Sequence, residues 1–371
     1  MEEIIFEPRI YQYETCAEFV EHVSPAATDF ILTNQYIYEP FFKDFKLPAT
    51  VLYQEQYGQG EPTDEMVSKL MTEIRKGDYQ RVIAIGGGTI LDIAKILSVT
   101  DDRTLDEMYD QKDSIKRQRD LLAIPTTCGT GSEVTNIAVV NRLSLGTKMG
   151  LVSPEMFPTD AILIPELLTT LPEYVFATSS IDALVHAAES AVSPKATEFT
   201  KLFSYAAIRK IITGYQKIEA EGKEVLPSLM KEFLTASTFA GLAFGTAGCG
   251  PVHAMSYPFG GTYHVAHGES NFVIFTGVFK HYAEQKNEGA LIELNSVLAE
   301  LLDCPIEEVY PALDQLLDKM LPKRALKDYG VKQIELPQFA KNVIQEQQRL
   351  LGNSFIPLDE AQVLKIYQSI Y

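Results

Sequence analysis

Four apolar runs punctuate the first part of the chain: DFILTN (29–34), ATVLYQ (49–54), RVIAIG (81–86) and LLAIP (121–125). Each is continuous rather than alternating, which predicts strands buried on both faces, and each leads into turn residues or a helical pattern. PTDEMVSKLMTEIRKG (62–77) is one such pattern, with Met66, Leu70, Met71 and Ile74 recurring on one face and Gly77 at its end. Strand and helix alternating at this spacing predict a parallel, Rossmann-like sheet covered on both faces. From about residue 175 the strand signals fade. Alanine- and leucine-rich helical segments follow at 179–193, 197–214, 226–245, 270–285, 290–302, 306–319, 338–351 and 359–370. The pattern predicts an α/β N-terminal domain over 1–175 and an all-α C-terminal domain over 176–371, divided near PELLTTLPEYVF (165–176).

Two of the strands run into polar turns. In RVIAIGGGTILDIAK (81–95), Gly86, Gly87 and Gly88 precede a helix opening at Thr89 or Ile90. Glycine allows close backbone approach and positive φ, and the N–H groups opening a helix suit a phosphate. The stretch matches neither GxGxxG nor GxxxxGK[ST], so a plain tight turn between strand and helix stands as the alternative. IPTTCGTGSEVT (124–135) adds five hydroxyls, from Thr126, Thr127, Thr130, Ser132 and Thr135. Two such turns at carboxyl ends of strands favour a long ligand with several phosphates or sugar hydroxyls.

Charge narrows the partners. Lys and Arg number 32 against 50 Asp and Glu, a net charge of −18, which disfavours nucleic acid and anionic membrane surfaces. No apolar run approaches the roughly 20 residues of a membrane span, and MEEIIFEPRIYQYET lacks the layout of a signal peptide. Cys16, Cys128, Cys249 and Cys304 are far apart and form no CxxC, against a disulfide framework or a zinc–thiolate site. A cytoplasmic enzyme acting on a small molecule is expected; a homo-oligomer such as a dimer is compatible with this surface.

Histidine is sparse, and three of the six residues fall in GPVHAMSYPFGGTYHVAHGES (250–270): His253, His264 and His267. Upstream, TSSIDALVHAAES (178–190) reads as a helix capped by Thr178 or Ser179, with Asp182 and His186 four apart on one face. A carboxylate–imidazole hydrogen bond on a surface helix would explain that pair alone. With the downstream cluster, one Asp and two or three His make a nitrogen/oxygen site suited to Fe²⁺ or Zn²⁺. Gly260, Gly261 and Gly268 argue against a regular helix there, and spacing does not choose which two of the three histidines would join Asp182 and His186.

Together these stretches resemble the iron-dependent alcohol dehydrogenases. GGGTILDIAK is similar to that family's GGGSxxDxAK turn, PTTCGTGSEVT to PTTxGTGSE, DALVHAAES to DAxxHxxE, and VHAMSYPFGGTYHVAHGESN to HxxxHPLGxxxxxPHGxxN. The resemblance spans nearly the whole chain. FILTNQYIYEPF, QYGQGEPTDEM, GGTYHVAHGESNF and QEQQRLL are further similar to the bacterial 4-hydroxybutyrate dehydrogenases within it. It implies a dinucleotide-binding N-terminal domain, a metal-binding C-terminal domain, and hydride transfer between NAD(H) and a small alcohol or aldehyde such as 4-hydroxybutyrate and succinate semialdehyde. The implied metal ligands are Asp182, His186, His253 and His267, for Fe²⁺ ahead of Zn²⁺. The implied cofactor residues are Gly86, Gly87, Gly88, Thr89 and Asp92 in the first turn, Thr126, Thr127, Thr130 and Thr135 in the second, and Lys148 near a ribose.

Two positions depart from the family pattern. Asn34 stands where NAD-using members often carry Asp to hold the adenosine ribose, which leaves NADP less excluded. Tyr257 replaces a family histidine, while His264 occupies a position that is often Asn; either residue is a candidate to relay the proton. Asn136, Asn141, Tyr257, Tyr263 and Asn271 are candidate donors to a substrate carboxylate. The alternatives are a related dehydrogenase with a neutral alcohol or diol substrate, a dehydroquinate-synthase-like lyase, which would call for clustered Lys and Arg, and a metal hydrolase without a nucleotide.

Overall fold

The computed structural model describes residues 3–371; Met1 and Glu2 of the acidic opening stretch lie outside the described residues. The chain forms two compact units, Phe6–Leu171 and Pro172–Tyr371, the latter joined by the described residues ahead of Phe6.

The first unit is built on a six-stranded sheet in the order β1(Arg9–Gln12), β8(Asp160–Leu163), β5(Asp120–Pro125), β4(Arg81–Gly86), β2(Asp29–Thr33), β3(Thr50–Tyr53), with every neighbouring pair parallel. The four strands read as apolar runs are β2 to β5. A two-stranded antiparallel ribbon, β6(Ile137–Arg142) with β7(Thr147–Val152), stands apart from the sheet. The apolar runs do not include β1, which is exposed throughout, β6, which alternates buried with half-buried positions, β7, which has a single buried position, or β8, which is buried after Asp160 but only four residues long. Phe30, Leu32, Val82, Ala84, Leu121 and Ala123 meet the helices Asp64–Ile74 and Gly88–Ser98 in one core. Thr63 caps the first of these helices by accepting from Met66 N, leaving Met66, Val67, Leu70, Met71 and Ile74 buried.

The second unit is helical. Its centre is the Glu173–Val192 helix, buried almost continuously from Phe176 to Val192, against which Glu198–Glu221, Leu226–Ala247 and His267–Gln285 pack. The expected cap at Thr178 or Ser179 is corrected. The helix begins at Glu173 after Pro172, and both hydroxyls turn back onto carbonyls of the preceding turn: Thr178 onto Tyr174 and Val175, Ser179 onto Phe176. Ser and Thr bond locally in either setting, so composition alone mistook an interior turn for a start.

The expectation against regular helix in the histidine-rich stretch is also corrected. Pro251–Tyr263 is helical through Gly260 and Gly261, and the break comes at His264, in the left-handed region at φ 53°. Gly260 serves contact, since a Cβ there would lie 2.6 Å from Ser270 Oγ.

Candidate active site

Asp182 and His186 lie one turn apart on the Glu173–Val192 helix, His253 sits in the first turn of Pro251–Tyr263, and His267 opens His267–Gln285. One ligand atom from each of the four lies within 4.8 Å of the others. His253 Nε2 and His267 Nε2 each stand 3.7 Å from Asp182 Oδ1, and His186 Nδ1 stands 4.0 Å from Asp182 Oδ2. The His186 and His253 rings stack at 4.5 Å, with Phe244 covering the other side of His186 at 4.3 Å.

The helices of Asp182 and His267 reach one another because of Gly268. A Cβ at that position would lie 2.1 Å from the Thr178 carbonyl oxygen and 3.2 Å from Asp182 Cβ. Glycine is therefore what allows the backbone beside His267 to touch the Asp182 helix.

Two further side chains orient His253, Asp182 and His267. Glu189, one turn beyond His186, accepts from Gly250 N (2.9 Å), Val252 N (2.6 Å) and His253 Nδ1 (2.6 Å). With Nδ1–H given to Glu189, His253 Nε2 is the free lone pair; it is buried and has no hydrogen-bond partner. Asn271 Nδ2 donates to Asp182 Oδ1 at 2.6 Å and lies 3.2 Å from His267 Nε2. An orphaned imidazole nitrogen facing a carboxylate and two more imidazoles fits a divalent cation, and nothing in the donor set is a thiolate. Burial works against the Asp182 carboxylate, but the rings of His186, His267 and His253 outweigh it and hold its carboxyl below the usual range. For His253, burial opposes protonation and Glu189 outweighs it, making the ring more basic.

The two relay candidates part company. The Tyr257 ring lies beside His267, centroids 6.0 Å apart. His264 is exposed at the helix break, and no described contact joins it to the four. Of the candidate carboxylate donors, Asn271 is committed to Asp182, and the Tyr263 hydroxyl donates to Glu335 at 2.7 Å.

In the other unit, the residues expected around a nucleotide gather at the carboxyl edge of the sheet. Thr126 N donates to Gly86 O, joining the two turns. A Cβ on Gly87 would lie 3.3 Å from Thr127 Cγ2, and one on Gly88 2.7 Å from Thr130 Cγ2. None of Gly86, Gly87 and Gly88 has positive φ, so close approach is what favours glycine here: the second turn at Gly87 and Gly88, and at Gly86 the side chain of Ile90, 2.3 Å from where a Cβ would lie. Thr89 Oγ1 donates to Gly60 O, and Lys148 pairs with Glu61 at 2.6 Å. Asp92 is bound internally, accepting from Ser132 Oγ (2.6 Å) and Val139 N (2.9 Å). Beside it the fully buried Lys95, absent from the expected cofactor residues, donates to Ser132 Oγ, Thr135 Oγ1 and Ile137 O at 2.7–2.9 Å. Its position three residues after Asp92 on an apolar helix was the available signal. Asn34, after β2, is buried and bonded to Gln54 and Glu55.

The chain is similar to known proteins along its whole length. Residues 8–165 match the family model "iron-containing alcohol dehydrogenase", and residues 176–371 match the C-terminal model of the Fe-containing alcohol dehydrogenase family. The chain is 43% identical over 366 residues to a 4-hydroxybutyrate dehydrogenase of Clostridium kluyveri, covering 98% of both chains. It is 36% identical over 327 residues to long-chain-alcohol dehydrogenase 1 of Geobacillus thermodenitrificans, covering 84% of this chain and 80% of that one. Among solved structures, sulfoacetaldehyde reductase of Bifidobacterium kashiwanohense in complex with NAD+ superposes with a TM-score of 0.85 at 20% identity, covering 100% of this chain and 98% of the other.

Proposed function

The chain belongs to the iron-containing alcohol dehydrogenase family, and we propose that it transfers a hydride between NAD(H) and a small primary alcohol or aldehyde, with 4-hydroxybutyrate and succinate semialdehyde as the pair. The observation that carries the substrate is the near full-length likeness to the Clostridium kluyveri enzyme. In this reading Asp182, His186, His253 and His267 hold a divalent cation, Fe²⁺ ahead of Zn²⁺. When bound, it supplies Lewis-acid stabilisation of the oxygen on the carbon that gives or receives the hydride.

The chain's own residues do the rest. Asp182 contributes the one carboxylate, so three neutral imidazoles leave about one unit of positive charge at the centre. Glu189 keeps the His253 proton on Nδ1, and Asn271 fixes the Asp182 carboxylate. Gly86, Gly87 and Gly88, with Thr127 and Thr130, form the pyrophosphate cradle; Thr89, Thr126 and Lys148 flank it. Asp92, Thr135 and Lys95 brace that cradle from within. Tyr257, beside His267, is assigned the proton relay in place of His264. The family-wide alternative of a neutral alcohol differs only in the substrate's far end.

Among the described residues no helix is long and apolar enough to cross a membrane. We read the enzyme as cytoplasmic, a homo-oligomer, and not a partner of nucleic acid. The deciding assay is NADH oxidation by metal-reconstituted enzyme over a panel of semialdehydes and neutral aldehydes of equal length. Succinate semialdehyde should give the highest kcat/KM. A higher value for the neutral aldehyde defeats the substrate assignment, and no oxidation with any of them defeats the reading as a whole.

A further inference from the structure

We propose that Glu55, and not residue 34, makes this enzyme select NAD(H) over NADP(H). The proposal rests on the nucleotide-binding reading above and names the group that decides the cofactor.

Asn34 has no hydrogen-bonding capacity left to give a ribose as donor. Its Nδ2 donates to Gln54 Oε1 at 3.2 Å and Glu55 Oε2 at 2.9 Å, and its Oδ1 accepts from the Tyr36 hydroxyl at 3.2 Å. The amide is buried, and both of its N–H groups are spent. Glu55 is half-buried, and each of its oxygens takes one bond: Oε2 from Asn34 and Oε1 from Gln35 N at 2.7 Å. A carboxylate oxygen has two lone pairs, so one on each oxygen is left for a vicinal diol.

Register puts this carboxylate on the same sheet edge as the glycine turn. Thr33 is opposite Tyr53 in β3 and opposite Ile85 in β4. The residues that leave the three strands, Asn34, Gln54 and Gly86, therefore emerge together at their carboxyl ends. Glu55 follows directly, two strand spacings or about 10 Å along the edge from the glycines. In open parallel sheets ligands bind outside this edge, and an acidic side chain there receives the ribose hydroxyls. Charge decides the rest. Among the described residues no lysine or arginine is hydrogen-bonded to Asn34, Gln35 or Glu55, and Lys43, which stands beside this network, is paired with Glu39 at 3.6 Å, so a 2′-phosphate would meet the unneutralised Glu55 carboxylate. The charge that the sequence lacks at position 34 is thus supplied from the end of the next strand, and Asn34 is the residue that holds it in place.

The test is direct binding, by calorimetry, of NADH and NADPH to metal-loaded wild-type enzyme and to the Glu55→Gln and Asn34→Ala variants, each first checked for an unchanged melting temperature. Wild type should bind NADH more tightly than NADPH. Glu55→Gln should lower the ratio of the NADPH to the NADH dissociation constant at least about ten-fold. Asn34→Ala keeps the carboxylate, still held at Oε1 by Gln35 N, and should leave NADH favoured. A ratio unmoved by Glu55→Gln, or moved only by Asn34→Ala, overturns the proposal while leaving the NAD reading intact. Wild type that binds neither nucleotide overturns that reading, and the proposal falls with it.

Discussion

Glu189 accepts the His253 Nδ1 proton at 2.6 Å while holding Gly250 N and Val252 N, so one carboxylate ties the helix of Asp182 and His186 to the start of the helix of His253. All three of its partners are donors. A carbonyl–amide pair cannot accept on both sides, so Glu189→Gln must set an NH₂ either against Val252 N–H or against Gly250 N–H and His253 Nδ1 together. The second arrangement moves the ring proton to Nε2, the atom that points among the other three ligands. Metal affinity, measured by competition with a chelator, should fall about 10–100-fold in this variant. Unchanged affinity would show that Glu189 only caps the helix.

Gly268 gives a harsher outcome. Its missing Cβ would lie 2.1 Å from the Thr178 carbonyl, and backbone cannot move aside as a flexible side chain can. Gly268→Ala should force the His267 helix away from Asp182, lowering metal content and melting temperature together. A loss of roughly 2–4 kcal/mol in urea unfolding is expected. A variant that retains full metal content would show that the two helices can slide apart without dispersing the ligands.

His264 should be dispensable for chemistry. It lies in the left-handed region at the helix break, a conformation that asparagine tolerates well. His264→Asn should therefore fold normally and leave the pH profile of kcat unchanged, whereas loss of one limb of the profile would return the relay to His264.

Much of this was legible along the chain, and the exceptions have physical reasons. Strands β2, β4 and β5 were visible because parallel strands buried on both faces are continuously apolar; β3 reads the same way but is the half-buried edge strand, which corrects the expectation for it. Asp182 and His186 were visible because four residues make one helical turn. Choosing between His264 and His267 required the position of the helix break, set by a left-handed residue that is not glycine. Glu189 stands in DALVHAAES, yet no spacing rule says that its carboxylate turns toward a backbone segment some 60 residues downstream. Glu55 and Lys95 escaped for the same reason. Their partners are assembled by register and by the folding back of a turn, which periodicity does not record.

Asp314 offers a test of electrostatics away from the metal ligands. It accepts from Lys280 Nζ at 2.8 Å, Lys323 Nζ at 2.7 Å and Thr276 Oγ1 at 2.8 Å, and Lys323 Nζ also donates to Thr276. Burial raises its pKa, but Lys323 and Lys280 outweigh that and hold the carboxyl below its ordinary value. A carboxyl with a depressed folded-state pKa binds more protons when unfolded, so its contribution to stability grows with pH. That contribution is complete above the ordinary aspartate range, near about 4, and is lost as pH falls through the depressed folded value. Asp314→Asn should cost roughly 2 kcal/mol at pH 7, because Lys323, itself largely buried, loses the carboxylate charge bonded to it and keeps the neutral Thr276 hydroxyl and an amide oxygen. Urea unfolding of both proteins at neutral pH and at stepwise lower pH should show the gap between them closing only below the ordinary aspartate range. A gap that is constant across that range would mean that Asp314 acts through shape and hydrogen bonding alone.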